Sequence, residues 1–91
     1  MVHASDEDPA MALEKLAAEL AARGYRTPAL SARGRPPSLT VANPAVPMLT
    51  ETVMIEGGWY WWPWADRIAP LGDVTAAADR IVRVLRAEGS A

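Results

Sequence analysis

The chain of 91 residues has no cysteine, no phenylalanine and only one histidine. Without cysteine it does not fit the class of small secreted domains held together by disulfides. His3, the single histidine, stands in an acidic N-terminal stretch, so a histidine-based general base or catalytic triad is not expected. No run approaches the roughly 18 apolar residues of a membrane-spanning helix. These absences favour a cytoplasmic protein that is not an enzyme and that holds no metal or cofactor.

Acidic residues are missing from the middle of the sequence. The formal net charge is −2, but residues 20–50 carry four arginines and no acid, which gives +4 there and leaves −6 for the remainder. A negative net charge argues against general attraction to nucleic acid. Arg26, Arg33 and Arg35 are nevertheless candidate anion-binding residues, although the ordinary interpretation of such arginines is a solvated hairpin tip.

The composition is that of one globular domain. The apolar fraction is 51% and the charged fraction 22%, which is ordinary for a folded chain. We expect a disordered tail over residues 1–7 and a single domain over residues 8–91. Because so short a domain buries only a modest part of its surface, self-association is a natural source of further burial.

Two helices are predicted, one at each end of the domain. The first starts at Asp8-Pro9, an N-cap followed by proline at the first helical position, and ends before Gly24. The second starts after Asp73 and closes at Gly89, with Asp79 and Arg83 spaced to pair. Each has an apolar stripe, formed in the first helix by Leu13, Leu16, Ala17 and Leu20 and in the second by Val74, Ala77, Ala78, Ile81 and Leu85.

Four strands are predicted between the helices, over residues 25–32, 38–42, 49–56 and 59–64. Pro28 places the first at an edge, and Gly57-Gly58 is a two-residue hairpin signal between the last two. Residues 65–72 are expected to be a connection. The sequence therefore predicts an α+β fold of order α-β-β-β-β-α. Its layers are a four-stranded antiparallel meander and the N- and C-terminal helices, which both lie on one face.

The run GWYWWPWA at residues 58–65 concentrates most of the aromatic side chains. Alternation along a strand puts Trp59 and Trp61 on one face of the sheet and Tyr60, Trp62 and Trp64 on the other. One set is expected to fill the core and the other to form an aromatic patch that a monomer rarely leaves bare. Which set faces outward is open at this point. Pro63 is expected to keep the strand at an edge or bulge.

Two blocks, residues 34–44 (GRPPSLTVANP) and 58–65 (GWYWWPWA), resemble those of short uncharacterised proteins of actinobacteria. The resemblance implies no activity and no site residues. The topology is loosely similar to double-stranded-RNA-binding domains and to small acidic secretion-chaperone-like proteins. The former carry a lysine-rich start of the second helix, which this chain lacks, whereas the latter fit its size, acidity and expected dimerisation.

The sequence favours a small protein–protein interaction or regulatory adaptor module that forms a homodimer. Its partner-binding residues are drawn from the aromatic run: Trp59, Tyr60, Trp61, Trp62 and Trp64. The alternative is a binder of nucleic acid or of an anionic ligand through the Arg23–Arg35 segment beside the tryptophans, with nucleic acid the less favoured partner.

Overall fold

A computed structural model of the chain describes residues 8–31, 33, 36–46 and 48–89. The predicted tail, residues 1–7, and Arg35 lie outside the described residues. The elements follow one another as α1 (Pro9–Ala22), β1 (Arg26–Ser31), β2 (Ser38–Ala42), β3 (Thr50–Glu56), β4 (Trp59–Trp61), β5 (Arg67–Pro70) and α2 (Val74–Gly89).

Helix α1 begins and ends where its capping residues predict. The side chain of Asp8 accepts a hydrogen bond from the backbone N–H of Ala10 at 3.2 Å, and Pro9 is the first helical residue. Gly24 follows the C-cap with φ of 85°, a conformation that glycine adopts without strain. The inward stripe is fully buried and consists of Ala12, Leu13, Leu16 and Leu20.

Helix α2 also starts at its predicted N-cap, because Asp73 accepts from the backbone N–H of Ala76 at 3.1 Å. The predicted pairing of Asp79 with Arg83 is wrong. Asp79 instead accepts a hydrogen bond from Arg23, at the end of α1, and thereby ties the two helices together. The side chains of α2 that enter the core are Ala77, Ala78, Ile81 and Leu85.

The strands form one antiparallel sheet in the order β1-β2-β3-β4-β5. This confirms the α+β fold and the meander but corrects the strand number from four to five. The fifth strand, Arg67–Pro70, lies in the segment predicted as a connection and pairs Ala69 with Tyr60. Strand β4 is therefore internal. Pro63, which was expected to keep it at an edge or bulge, lies in the turn that follows it, and the pairing of β4 with β5 shifts register between Tyr60 and Trp61.

The core lies between the two helices and one face of the sheet. Its sheet side is supplied by alternate residues of the inner strands, namely Leu39, Val41, Val53, Ile55 and Tyr60. Tyr60 is fully buried, and its hydroxyl donates to the backbone oxygen of Ala12 at 2.8 Å. The aromatic strand is thus joined to α1 by packing and by a hydrogen bond.

A tight turn joins β4 to β5. The backbone N–H of Ala65 donates to the oxygen of Trp62 at 3.0 Å, and the N–H of Trp62 donates to the oxygen of Asp66 at 2.8 Å. Pro63 suits the first corner of such a turn. Ala65 has φ of 67°, a left-handed conformation in which its Cβ is strained.

Ala65→Gly is expected to raise the free energy of unfolding by about 0.5–1 kcal/mol. Glycine removes the left-handed strain, and its greater freedom in the unfolded chain offsets part of that gain. Urea denaturation measures the change. Ala18→Gly, at an exposed position inside α1, is the matched control and should destabilise by about 1 kcal/mol. A loss of stability in both variants would contradict the strain assigned to Ala65.

Candidate functional site

The side of the sheet away from the helices carries Trp59 and Trp61. Both are half-buried, in contrast to Tyr60 between them, which faces the core. Met54 of β3 pairs with Trp61, and Glu56 pairs with Trp59. We call the surface formed by Met54, Glu56, Trp59, Trp61 and Arg67 the open face, because neither α1 nor α2 packs against it.

Arg67 holds the two indoles of the open face together. Its guanidinium carbon lies 4.7 Å from the ring centroid of Trp59 and 5.3 Å from that of Trp61, within the range of cation–π attraction. The indole N–H of Trp61 donates to the backbone oxygen of Glu56 at 2.8 Å. The rings are therefore fixed before any partner arrives, which lowers the entropy lost when a partner binds.

Trp62 and Trp64 have a different role. Trp62 is only 5% exposed and belongs to the core, whereas Trp64 lies in the turn and is 50% exposed. Their rings stack at a centroid distance of 4.9 Å and an interplanar angle of 7°. Of the five residues predicted to bind a partner, Tyr60 and Trp62 are thus buried, Trp59 and Trp61 lie on the open face, and Trp64 lies beyond it.

An apolar cleft of about 320 Å³ adjoins the open face. It lies between the loop that precedes β2 and the turn that follows β4. Its lining is supplied by two prolines, by the strained Ala65, by the core residue Trp62 and by side chains of the open face: Pro36, Met54, Glu56, Trp61, Trp62, Pro63 and Ala65. The cleft extends the apolar surface of the open face towards its edge.

Arg26, one of the three predicted anion-binding arginines, lies away from the tryptophans. Arg26 lies in β1, the edge strand, where it pairs with Ala42 of β2. Strands β2 and β3 lie between β1 and β4, so Arg26 is roughly 14 Å from β4 at the usual strand spacing. Arg33 is exposed in the loop between β1 and β2, and Arg35 is outside the described residues. The arginine that contacts the tryptophans is Arg67, which lies in the segment predicted as a connection.

Other kinds of site were sought over the described ranges of the chain. There, no three histidine, cysteine, aspartate or glutamate residues come together in a way that could hold a metal ion. None of the described helices combines the length and apolar character needed to cross a bilayer. Comparison of the chain with known protein families, with curated proteins and with solved structures finds no match.

Proposed function

We propose that the chain is a non-enzymatic interaction module that forms a homodimer through the open face. The observation that supports this most directly is the pair Trp59 and Trp61, side by side on a sheet face that neither α1 nor α2 covers. Tryptophan is enriched among the residues that dominate binding energies. Contiguous aromatic surface of this kind on a small protein commonly marks an interface.

The charges of the open face favour a second copy of the chain as the occupant. Glu56 and Arg67 carry opposite charges and lie on the strands that flank β4. In the strand register, Glu56 is opposite Trp59 and Arg67 is opposite Trp61. A two-fold axis brings one residue of the first copy to a different residue of the second, and the reverse contact follows by symmetry. Glu56 of each copy can therefore meet Arg67 of the other around a core of four indoles.

The resulting assembly has four layers, helices–sheet–sheet–helices. Two sheets stacked face to face lie about 10 Å apart, a spacing that side chains from both faces fill. Met54 and the indoles supply the apolar part of such a filling, and Thr40 and Thr52 on the same face are half-buried. Dimerisation would thus provide the burial that so short a domain lacks.

Trp61→Ala is expected to raise the dimer dissociation constant at least about tenfold, because an aromatic anchor is lost from both copies at once. Sedimentation equilibrium measures the constant. Trp64→Ala is the matched control, since it removes an equally large and more exposed ring that lies off the open face. A wild-type chain that is monomeric at all concentrations would rule the homodimer out, and equal constants for the two variants would rule out the open face as its interface.

A charge exchange tests the symmetry of the contact. Glu56→Arg or Arg67→Glu alone places like charges together and should weaken the dimer. The double variant restores opposite charges and should recover much of the affinity. Because Arg67→Glu also removes the cation from the indoles, the recovery in the double variant is the informative measurement.

The alternative, an anion-binding surface at the Arg23–Arg35 segment beside the tryptophans, stays a prediction. The separation of Arg26 from Trp59 and Trp61 gives it no support from the geometry.

A further inference from the structure

A second cleft lies on the helical side of the molecule, where the end of α1, the start of β1 and the middle of α2 meet. Its volume is about 410 Å³. We call it the arginine cleft, after three of the residues that line it. The full lining is Arg23, Tyr25, Asp79, Val82, Arg83 and Arg86.

The only carboxylate among these residues is already neutralised. Arg23 donates to Asp79 and, through its Nε at 3.1 Å, to Glu19 as well. The hydrogen bond with Asp79, and then that with Glu19, outweighs desolvation and raises the pKa of Arg23 above its ordinary value. Arg23 therefore stays protonated. The three arginines of the lining outweigh the two carboxylates, Asp79 and Glu19, by one charge, so the cleft keeps a net positive charge that favours an anion.

Arg83 is left with an uncompensated charge. Within the part of the chain that the structure describes, its guanidinium makes no ion pair, although Asp79 lies four residues before it. Arg83 and Arg86 both line the cleft. Two guanidinium groups on successive turns of one helix provide planar, multiple donors of the kind that match phosphate and carboxylate oxygens.

Tyr25 supplies an independent indication of a ligand. Its side chain lines the cleft and is only 9% exposed, yet its hydroxyl has no hydrogen-bond partner among the described residues. Its backbone N–H, by contrast, donates to the oxygen of Leu20 at 2.9 Å. A buried hydroxyl is normally satisfied, because leaving it unpaired costs roughly 1–3 kcal/mol. An oxygen acceptor entering the cleft would satisfy it.

We propose that the arginine cleft binds the phosphate group of a small organic phosphate monoester. Arg83 and Arg86 would donate to the phosphate oxygens, and the hydroxyl of Tyr25 would donate to another. The cleft volume exceeds that of a bare phosphate and is in the range of small-molecule pockets. Val82 and the tyrosine ring give the organic part of the ligand an apolar wall.

Titration of the full chain at low ionic strength, followed by amide chemical shifts, tests the site. The probes are inorganic phosphate, a nucleoside monophosphate and a single-stranded oligonucleotide. We expect saturable shifts around Tyr25 and Arg83. Arg83→Ala should weaken binding at least about tenfold, since a charged hydrogen bond is lost, and Tyr25→Phe should weaken it roughly two- to tenfold.

Arg80→Ala is the matched control. Arg80 is an exposed arginine of the same helix that does not line the arginine cleft, and its loss should leave the affinity unchanged. Tighter binding of the monophosphate than of the oligonucleotide would assign the phosphate to a small ligand. Tighter binding of the oligonucleotide, if Arg83→Ala abolishes that binding, would assign the site to a nucleic-acid backbone.

Besides preferential binding of the oligonucleotide, two results would overturn the proposal. One is the lack of saturable binding by any of the three probes. The other is an equal loss of affinity in Arg80→Ala and Arg83→Ala without an effect of Tyr25→Phe, which is the behaviour of diffuse charge attraction. Neither result bears on dimerisation through the open face, because none of these residues belongs to that surface.

Discussion

Tyr60→Ala is expected to lower the free energy of unfolding by about 3–5 kcal/mol, the range found when a large buried aromatic is truncated. Tyr60 is fully buried at the centre of the core, on an internal strand that pairs with β3 and β5. Truncation would leave a cavity beneath α1 and would remove the hydrogen bond to Ala12. For a domain of this size such a loss is a large part of the whole stability.

Tyr60→Phe separates the ring from the hydroxyl. It keeps the packing and removes only the donor, so we expect a loss of about 1 kcal/mol. Trp64→Ala, which truncates a half-exposed ring outside the core, should cost far less than Tyr60→Ala. Urea denaturation of the three variants measures the differences. Equal losses in Tyr60→Phe and Tyr60→Ala would mean that the ring contributes little, which would contradict the packing described above.

The split of the aromatic run could be predicted from the sequence, but its direction could not. Strand alternation correctly separates Trp59 and Trp61 from Tyr60, because side chains of a strand point to opposite faces in turn. The strand was predicted to reach Trp64 but ends at Trp61. Of the two further residues predicted on the face of Tyr60, Trp62 is buried, whereas Trp64 is half exposed in the turn. Either set could have filled the core. The direction follows from long-range contacts, such as the bond from Tyr60 to Ala12 across 48 positions. Local pattern carries no information about contacts of that kind.

The fifth strand was missed because its own residues are poor indicators of a strand. Its four residues begin with a charge and end with proline, which leaves Ile68 and Ala69 as the only apolar pair. The strand forms because the turn at Trp62–Asp66 folds the chain back onto β4. The signal that could have found it is Pro63 two residues before Ala65, since proline at the first corner favours a tight turn.

The arginine contacts depend on the same long-range folding. Arg67 reaches Trp59 and Trp61 only because β5 exists, so the error in strand number concealed the cation–π contacts. Arg23 likewise reaches Asp79 across 56 positions. The local spacing of Asp79 and Arg83 suggested a pair within the helix. An isolated pair of that type is worth only a few tenths of a kcal/mol, so a tertiary partner easily replaces it.

Among the residues described, Asn43 is the one buried side chain that is neither aliphatic nor aromatic, and it joins the loop between β2 and β3 to α2. Its amide N–H donates to the backbone oxygen of Leu85 in α2 at 2.9 Å. Its side-chain oxygen accepts from the backbone N–H groups of Ala45 at 2.8 Å and Val46 at 3.3 Å. The loop between β2 and β3 is thereby shaped by the same side chain that fastens it to α2.

Asn43→Ala is expected to lower the free energy of unfolding by about 2–3 kcal/mol. The variant loses these three hydrogen bonds and leaves the carbonyl of Leu85 without this donor, and the loss of a buried partner costs more than a hydrogen bond on the surface. Urea denaturation at neutral pH measures the change. A loss below about 0.5 kcal/mol, the usual range of a surface substitution, would contradict the role assigned to Asn43.

Asn43→Asp tests whether the amide N–H that Asn43 donates to Leu85 is the group that stabilises the fold. A carboxylate keeps the acceptor for Ala45 and Val46, but it cannot donate to Leu85 and it places a negative charge near the C-terminal end of α2. The N–H groups of Ala45 and Val46 act to lower the pKa of the new carboxyl in the folded state. Burial, the facing carbonyl of Leu85 and the negative end of the α2 dipole act to raise it, and we expect the increase to prevail. A carboxyl whose folded pKa is raised destabilises the protein at any pH above its unfolded pKa of about 4, and this destabilisation disappears as pH falls from the folded pKa to the unfolded pKa.

The aspartate variant should therefore be less stable than the alanine variant at pH 7. It should gain on the alanine variant as pH is lowered, since the protonated carboxyl can donate to Leu85. Comparing the two variants at each pH cancels the titration of all other groups, and a constant difference between them would show that the donor to Leu85 is not what Asn43 contributes.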